Sequence, residues 1–337
     1  VDLIDKLDGM HYHEDTVRPK QNFDSARYLS EVKEHQYNLI GHYSAPEKHI
    51  KSLNELSVSI VIPVFNAFED VQLCIKSIKN STFKNYQIII ADDGSEEEVQ
   101  NWLLSYAAAN NNVKVLIPDK NRGYTKNVNS AIKHLSTDFI ILLNSDTQVY
   151  GSWIEQLLFP FLKDPSVGIS GPLSNAGGWQ TVPNLRGNSA LPAHLDIKKV
   201  NEFLQNEAYS ESYAISDIIN GFCFCFSKEV KKKVGVFDEQ EFPLGYGEED
   251  DFCIRARRAG FKNVVVTTAY VHHSKSKSFG HDKRVKLANA GRQVLDYKYG
   301  KEGYKLLTES IGSNPIINIK RDKLRNFFKS CKTETTI

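Results

Sequence analysis

The chain has 337 residues, with 42 lysines and arginines against 41 aspartates and glutamates and a formal charge of +1. That balance excludes a nucleic-acid binder held mainly by its overall charge, so no nucleic-acid partner is expected. Apolar residues at 41% and charged residues at 25% suit a globular chain long enough to bury a substantial core, and no run of about 18 apolar residues predicts a transmembrane helix.

Residues 1–57 are polar, with a weak helical stripe at Phe23, Ala26, Leu29 and Val32, and read as an N-terminal extension. They lack the basic and apolar regions of a signal peptide, and a start at Val1 reads as a fragment of a longer chain. At residue 58 the texture changes. Residues 58–63, 86–91, 113–118 and 139–143 are short apolar, β-branched runs that read as buried strands. Between them, 68–79, 96–109 and 124–135 carry helical patterns. Apolar strands alternating with helices predict an α/β fold, with a mostly parallel sheet covered on both faces. Ligands of such sheets bind beyond the carboxyl ends of the strands, where this chain places polar clusters. Residues 153–162 read as helix and 167–170 as strand. The stretch 174–217 has few periodic apolar positions and reads as a long functional loop able to close over a ligand. Strand texture returns over 218–226, helix over 249–259, strand over 263–271 and helix from 284 to about 310.

The C-terminus is basic, through Lys320, Arg321, Lys323, Arg325, Lys329 and Lys332. Leu324, Phe327, Phe328 and Cys331 fall at i, i+3, i+4 and i+7. This segment reads as a helix packing its own apolar stripe, the alternative being peripheral contact with anionic lipid or a partner. Five cysteines, an odd number, point to reduced, buried thiols and a cytoplasmic setting. Cys223 and Cys225 are expected on opposite faces of a strand, which argues against a metal pair.

Four clusters could carry chemistry. Asp92-Asp93-Gly94-Ser95 follows a strand and could hydrogen-bond a base or ribose; the structural alternative is a turn with Ser95 and Glu98 as a capping box. Asn144-Ser145-Asp146 ends the fourth strand, where a carboxylate could hold a divalent ion together with substrate phosphates. Glu248-Glu249-Asp250-Asp251 follows Gly245-Tyr246-Gly247. Acids suit a helix N-terminus and Asp251 can pair with Arg255, but four adjacent carboxylates also repel and raise at least one pKa, as a general base requires. His272-His273 ends a strand, so one imidazole points to each side and one could join Asp146 at a metal. Arg122, between Asn121 and Gly123, could meet a phosphate or simply sit in a turn. No G-x-G-x-x-G fingerprint is present.

In order, these residues resemble the motifs of inverting glycosyltransferases of family 2, which have the GT-A fold. Residues 60–66 resemble the opening strand and nucleotide-side loop, Asp92–Ser95 the "DDGS" motif, and Asn121-x-Gly123-x5-Asn129 the segment before the metal strand. Asn144-Ser145-Asp146 resembles the "DxD" motif and Glu248–Arg255 the "ED" motif. Gly171–Asn175 and Asn220-Gly221 look like bacterial polysaccharide-building members. The resemblance implies a GT-A domain over 58–280, an N-terminal extension over 1–57 and a C-terminal helical extension over 281–337. It implies a UDP- or dTDP-type nucleotide-sugar donor and a glycan or polysaccharide acceptor; the expected setting is cytoplasmic, the alternative for the basic tail being peripheral contact at the inner face of the membrane.

The donor is assigned to Pro63, Phe65, Asn66, Asp92, Asp93, Asn121, Gly123, Asn144 and Ser145, and Mn²⁺ or Mg²⁺ to Asp146 with His272 or His273. The acceptor is assigned to Trp179, Asn220, Gly221 and Asp251. With Asn in the first DxD position, Asp146 alone of that motif would bind metal. A literal Glu-Asp places the base at Asp250, whereas registering on Phe252 and Arg255 places it at Glu249; both stand, with Asp250 the literal match. The rival readings are a nucleotidyltransferase and a non-catalytic sugar-binding domain of a larger protein.

Overall fold

The computed structural model describes residues 52–185, 191–192, 195–206, 212–275 and 281–333. The expected stripe in the N-terminal extension lies outside them. The strands are β1 (Val58–Val64), β2 (Tyr86–Asp92), β3 (Val113–Leu116), β4 (Phe139–Leu143), β5 (Thr147–Gln148), β6 (Val167–Leu173), β7 (Tyr213–Ser216), β8 (Cys223–Ser227), β9 (Lys262–Tyr270) and β10 (His272–His273). The helices are α1 (Phe68–Ile78), α2 (Glu97–Ala108), α3 (Tyr124–Ile132), α4 (Trp153–Lys163), α5 (Ile197–Gln205), α6 (Lys228–Val234), α7 (Glu248–Arg258), α8 (His281–Tyr299), α9 (Lys301–Gly312) and α10 (Pro315–Thr333).

Eight strands form one mixed sheet in the order β3-β2-β1-β4-β8-β6-β9-β7, and β5 and β10 form a separate ribbon. The strands β1 to β4 are mutually parallel; β8 runs antiparallel between β4 and β6, and β7 antiparallel at the far edge. Period-two alternation sends alternate residues to opposite faces. Ile60, Ile62, Ile88, Ile90 and Ile141 pack under α1, α2 and α4. Val61, Ile89, Ile140, Leu142, Phe224 and Phe226 pack under α3, α5, α7 and α10. The same rule corrects the expectation for the C-x-C pair: Cys223 and Cys225 share the first face, two residues apart, with Phe224 opposite. All five cysteines are free thiols.

The stretch 174–217 is not all loop. It holds α5 and β7, which sequence reading missed because α5 buries little more than Val200 and Leu204 and β7 is four residues long. The strand expected over 218–226 begins only at Cys223, which leaves Asn220 and Gly221 in the loop before it. The helix expected from 284 to 310 is two, α8 and α9, and α10 follows them. Gly300, with φ +77°, divides α8 from α9, and Pro315 opens α10, the first helical turn being where proline loses no hydrogen bond.

A third cluster joins α7 to α8 and α9 through Ile254, Val294, Leu295, Tyr299, Tyr304, Leu307 and Ile311. The basic tail folds back as α10. Ile317, Leu324 and Phe328 are buried against the sheet's second face, and Phe327 stacks on Phe203 with centroids 4.2 Å apart. Its cations serve the fold too: Arg321 Nε donates to the Thr181 carbonyl (3.0 Å) and Arg325 Nη1 to that of Pro183 (2.8 Å). The stripe expected to pack on its own chain does so, which leaves no apolar face of that stripe for lipid. No helix among the described residues is long and apolar enough to cross a membrane.

Candidate active site

Three of the sequence clusters meet at the carboxyl end of β1, β2 and β4. Beyond β4 the chain turns at Asn144 and pairs as β5 with β10, His273 opposite Thr147 and His272 opposite Gln148. That ribbon brings His273 Nε2 to 3.2 Å from Asp146 Oδ1. Asn175 clamps the His273 backbone, its Nδ2 donating to the carbonyl (2.9 Å) and its Oδ1 accepting from the N–H (2.8 Å). The Nδ1 of His273 lies 2.9 Å from the Ala176 carbonyl, which accepts and so fixes the ring hydrogen there. Phe222 stacks on the ring at 5.4 Å.

Nε2 thus faces a carboxylate oxygen, a pair that is a salt bridge when the ring carries both hydrogens and can share a cation when it does not. Neighbouring ligands of a six-coordinate Mg²⁺-like ion, each about 2.1 Å from it, lie about 3 Å apart, so the Asp146–His273 separation fits. Among the described residues no group of three or more His, Cys, Asp or Glu could hold an ion, and Asp146 and His273 stand as a pair. Such ions complete their shell with substrate phosphates and water. Half-buried His272 faces elsewhere. It lines a shallow cleft with Gln148, Asn175, Asp196 and Ser274, and burial, with the neighbouring His273, lowers its pKa. Of the two histidines expected at the metal, the geometry brings His273 to Asp146.

On the nucleotide side, Asp92 Oδ2 accepts from the Gly94 and Ser95 N–H groups (both 3.1 Å) and Gln100 Nε2 (3.0 Å), while its buried Oδ1 has no partner among the described residues. Asp93 Oδ1 accepts from the Arg122 N–H at 2.7 Å, and burial raises its pKa. Asn121 Nδ2 donates to the Asp93 carbonyl (2.8 Å). The expected Ser95–Glu98 capping box does not form. The cap of α2 is Glu96, whose N–H donates to Asn66 Oδ1 (2.8 Å), while Ser95 Oγ accepts from the Asn66 N–H (2.7 Å). Asn66 thus ties the β1 loop to the β2 loop, and it does so at φ +56°. Pro63 ends β1 and Phe65 stands exposed beside it. Gly123 sits at φ +84° with the Pro243 carbonyl only 2.8 Å from where a Cβ would lie. Asn129 braces the same loop, donating to Phe237 O and accepting from its N–H, so its role is structural. Ser145 lies in the turn between β4 and β5, and Asn144 Oδ1 is buried without a partner among the described residues.

The helical rotation of α7 separates its four acids. Glu248 folds back onto the Gly247 N–H (3.1 Å); burial, then the Glu249 charge, holds its pKa well above the carboxylate range. Asp251 is fully buried between Arg255 Nε (2.7 Å), Lys298 Nζ (2.5 Å) and Tyr299 OH (2.5 Å). That environment places it in the interior and not beside an acceptor. Asp250 turns toward α9 and accepts from the Tyr304 hydroxyl. Burial and the adjacent Glu249 push its pKa up to about 8. Glu249 turns the other way. Its Oε1 accepts from the Gly221 N–H (3.4 Å) and its Oε2 from that of Gly247 (3.3 Å), both long bonds. Half-buried Tyr124 feels the charges of Glu248, Glu249 and Asp146 together, and loss of solvation with those charges holds its phenol well above the ordinary range. Gly221, which donates to Glu249, is followed by Phe222, whose ring stacks on His273, so Glu249 and the Asp146–His273 pair are joined through that short segment.

Asn220 precedes Gly221, and its N–H donates to Gln180 Oε1 (2.7 Å). Trp179 is not a free platform: its ring packs on α9, where a Cβ on Gly312 would meet Trp179 Cζ3 at 2.7 Å. Sequence reading missed Tyr124, Asn175 and Tyr304. Asn175 had a signal in its place after a buried strand, whereas Tyr304 lies 54 residues from the acid it contacts and had none.

The profile of Glycosyl transferase family 2 matches residues 59–231, just over half of the chain. A Sinorhizobium fredii protein of uncharacterised role is 23% identical over 245 residues, which is 71% of this chain and 27% of that protein. The N-acetylglucosaminyl-diphospho-decaprenol L-rhamnosyltransferase of Mycobacterium tuberculosis is 25% identical over 249 residues, 68% of this chain and 80% of that enzyme. The aligned stretches span 33%, 29% and 42% of three further curated relatives. A mannosyltransferase from Pyrobaculum calidifontis, solved with GDP-mannose and Mn²⁺, superposes with a TM-score of 0.56 at 13% identity over 89% of this chain and 83% of that one. The sheet order and helical layers are thus those of the GT-A fold. From the matched profile and the ordered motifs at one end of the sheet, the chain belongs to glycosyl transferase family 2.

Proposed function

We propose that the chain transfers a sugar from a nucleotide-sugar donor to a hydroxyl of a glycan acceptor, with inversion, using Glu249 as general base. The observation that carries this reading is the Gly221-Phe222 segment, whose first N–H donates to Glu249 and whose phenyl ring stacks on His273, the partner of Asp146. The relatives support a transferase of this class, and the Pyrobaculum enzyme was solved with a nucleotide sugar and Mn²⁺.

Asp92 and Asn144 each keep a buried oxygen without a protein partner among the described residues, acceptors suited to the N–H or O–H groups of a nucleoside such as uridine or thymidine. Asp146 and His273 would hold Mn²⁺ or Mg²⁺ against the diphosphate, with Nε2 oriented by the Ala176 carbonyl. When bound, the ion offsets the charge that builds on the leaving nucleotide. Glu249 takes the proton from the acceptor hydroxyl, and the weak bonds from Gly221 and Gly247 hold its carboxylate in place without consuming it. Attack on the face opposite the leaving group inverts the anomeric carbon. Asp250 is the literal match to the motif, but its Oδ2 accepts from Tyr304 of α9, which favours Glu249 as the base. Incubating the protein and Mn²⁺ with a panel of UDP-, dTDP- and GDP-sugars tests the reading; release of nucleoside diphosphate supports it, and release of none with any of them rejects it.

A further inference from the structure

The acids of α7 are completed by two helices outside the matched region. Asp250 lies against α9, where Tyr304 is buried and donates its hydroxyl to Oδ2. Burial and the Asp250 charge hold the Tyr304 phenol far above its ordinary range, so it stays a donor. Behind it, the Arg292 guanidinium of α8 lies over the Tyr304 ring at 4.3 Å and is itself anchored on Asp296 (2.7 Å). A stacked cation polarises the ring and places a positive charge near the carboxylate. The fit between α8 and the turn before α7 is tight, since a Cβ on Gly291 would lie 1.6 Å from the Tyr246 carbonyl oxygen.

We propose that Tyr304, with Arg292 behind it, is a positioning residue for the transfer step: its hydroxyl holds Asp250 against α9, which leaves Glu249 facing the acceptor. The inference rests on the reading of Glu249 as base. The groups that face Asp250 are Glu248, Glu249, Asp251 and Cys253 from α7, Arg292 from α8 and Tyr304 from α9. Those on α7 are acids or a buried thiol and disfavour its charge; only Tyr304 and Arg292 favour it. The α8–α9 hairpin thus sets the direction in which Asp250 turns away from Glu249.

Titration of ¹³C-labelled aspartate carboxyls by NMR tests this on the protein alone, with Asp250→Asn identifying the resonance. In Tyr304→Phe the Asp250 midpoint is expected to move up by roughly one pH unit, through loss of a hydrogen bond to the charged form. Arg292→Gln, at a partly exposed side chain, moves it the same way and carries the test if Tyr304→Phe does not fold. With Mn²⁺ and the nucleotide sugar that the panel identifies, the inflection of kcat against pH moves with the midpoint. An unmoved midpoint and a rate lowered by one factor at every pH would overturn the proposal, because that is the signature of a merely structural contact. Full turnover by Glu249→Gln would instead remove the base on which the inference stands. Loss of turnover in Glu249→Gln together with an unmoved Asp250 midpoint would reject this inference alone.

Discussion

At the residue scale, neighbouring carboxylates of similar chemistry are given different tasks by direction alone. Glu249 is expected to behave as the base: Glu249→Gln should lower transfer by at least about 10²-fold while leaving donor binding intact by calorimetry, since the amide keeps the shape and loses only the proton acceptor. Asp146→Ala should abolish the Mn²⁺-dependent part of nucleotide binding, measured by the same calorimetry with and without the ion, because it removes one of two protein ligands. The sequence showed that carboxylates gather here but not which one does what. Glu249 and Asp250 are adjacent, and only the 100° step along α7 and the partners on α9 and at Gly221 separate them. His272 and His273 were likewise equivalent in the sequence, and pairing of β10 with β5 distinguishes them.

At the element scale, the strands that were legible are those buried on both faces, such as β1, β2 and β4, whose continuous apolar runs leave little ambiguity. The β5–β10 ribbon was not legible. Two-residue strands have no period to detect, yet this ribbon builds the Asp146–His273 pair. The tight seat of α8 on the turn before α7 gives a test at this scale. Gly291→Ala should force the helix away from Tyr246 and destabilise the fold by about 1–3 kcal/mol, the range for overpacked sites. Urea unfolding measures that loss, and unchanged stability would show that α8 is not seated as described.

At the scale of the whole molecule, the near-zero net charge conceals a division of labour. Acids converge on the catalytic end of the sheet, while the cations of α10 bind carbonyls of the 179–183 segment. A chain ending at residue 314 loses the burial of Ile317, Leu324 and Phe328, each side chain worth about 1.5–3 kcal/mol. Its melting temperature should therefore fall steeply. The raised carboxyls give stability a pH dependence of defined sign. Glu248 and Asp250 hold protons in the folded state above the pH at which the unfolded chain releases them. Their contribution is present at low pH and is lost as pH rises from the ordinary carboxylate range toward about 8, the Asp250 value. Asp250→Asn should flatten that decline in urea titrations run across the interval.

The central claim, that Glu249 is the base of a metal-assisted sugar transfer, is tested most directly by one comparison. Nucleoside diphosphate release from the nucleotide sugar selected by the panel is measured in Mn²⁺ for the unaltered chain, Glu249→Gln and Asp250→Asn. The account predicts loss of at least about 10²-fold in Glu249→Gln and a smaller reduction in Asp250→Asn. Full turnover by Glu249→Gln, with activity lost in Asp250→Asn, would contradict it and return the role to the literal motif residue.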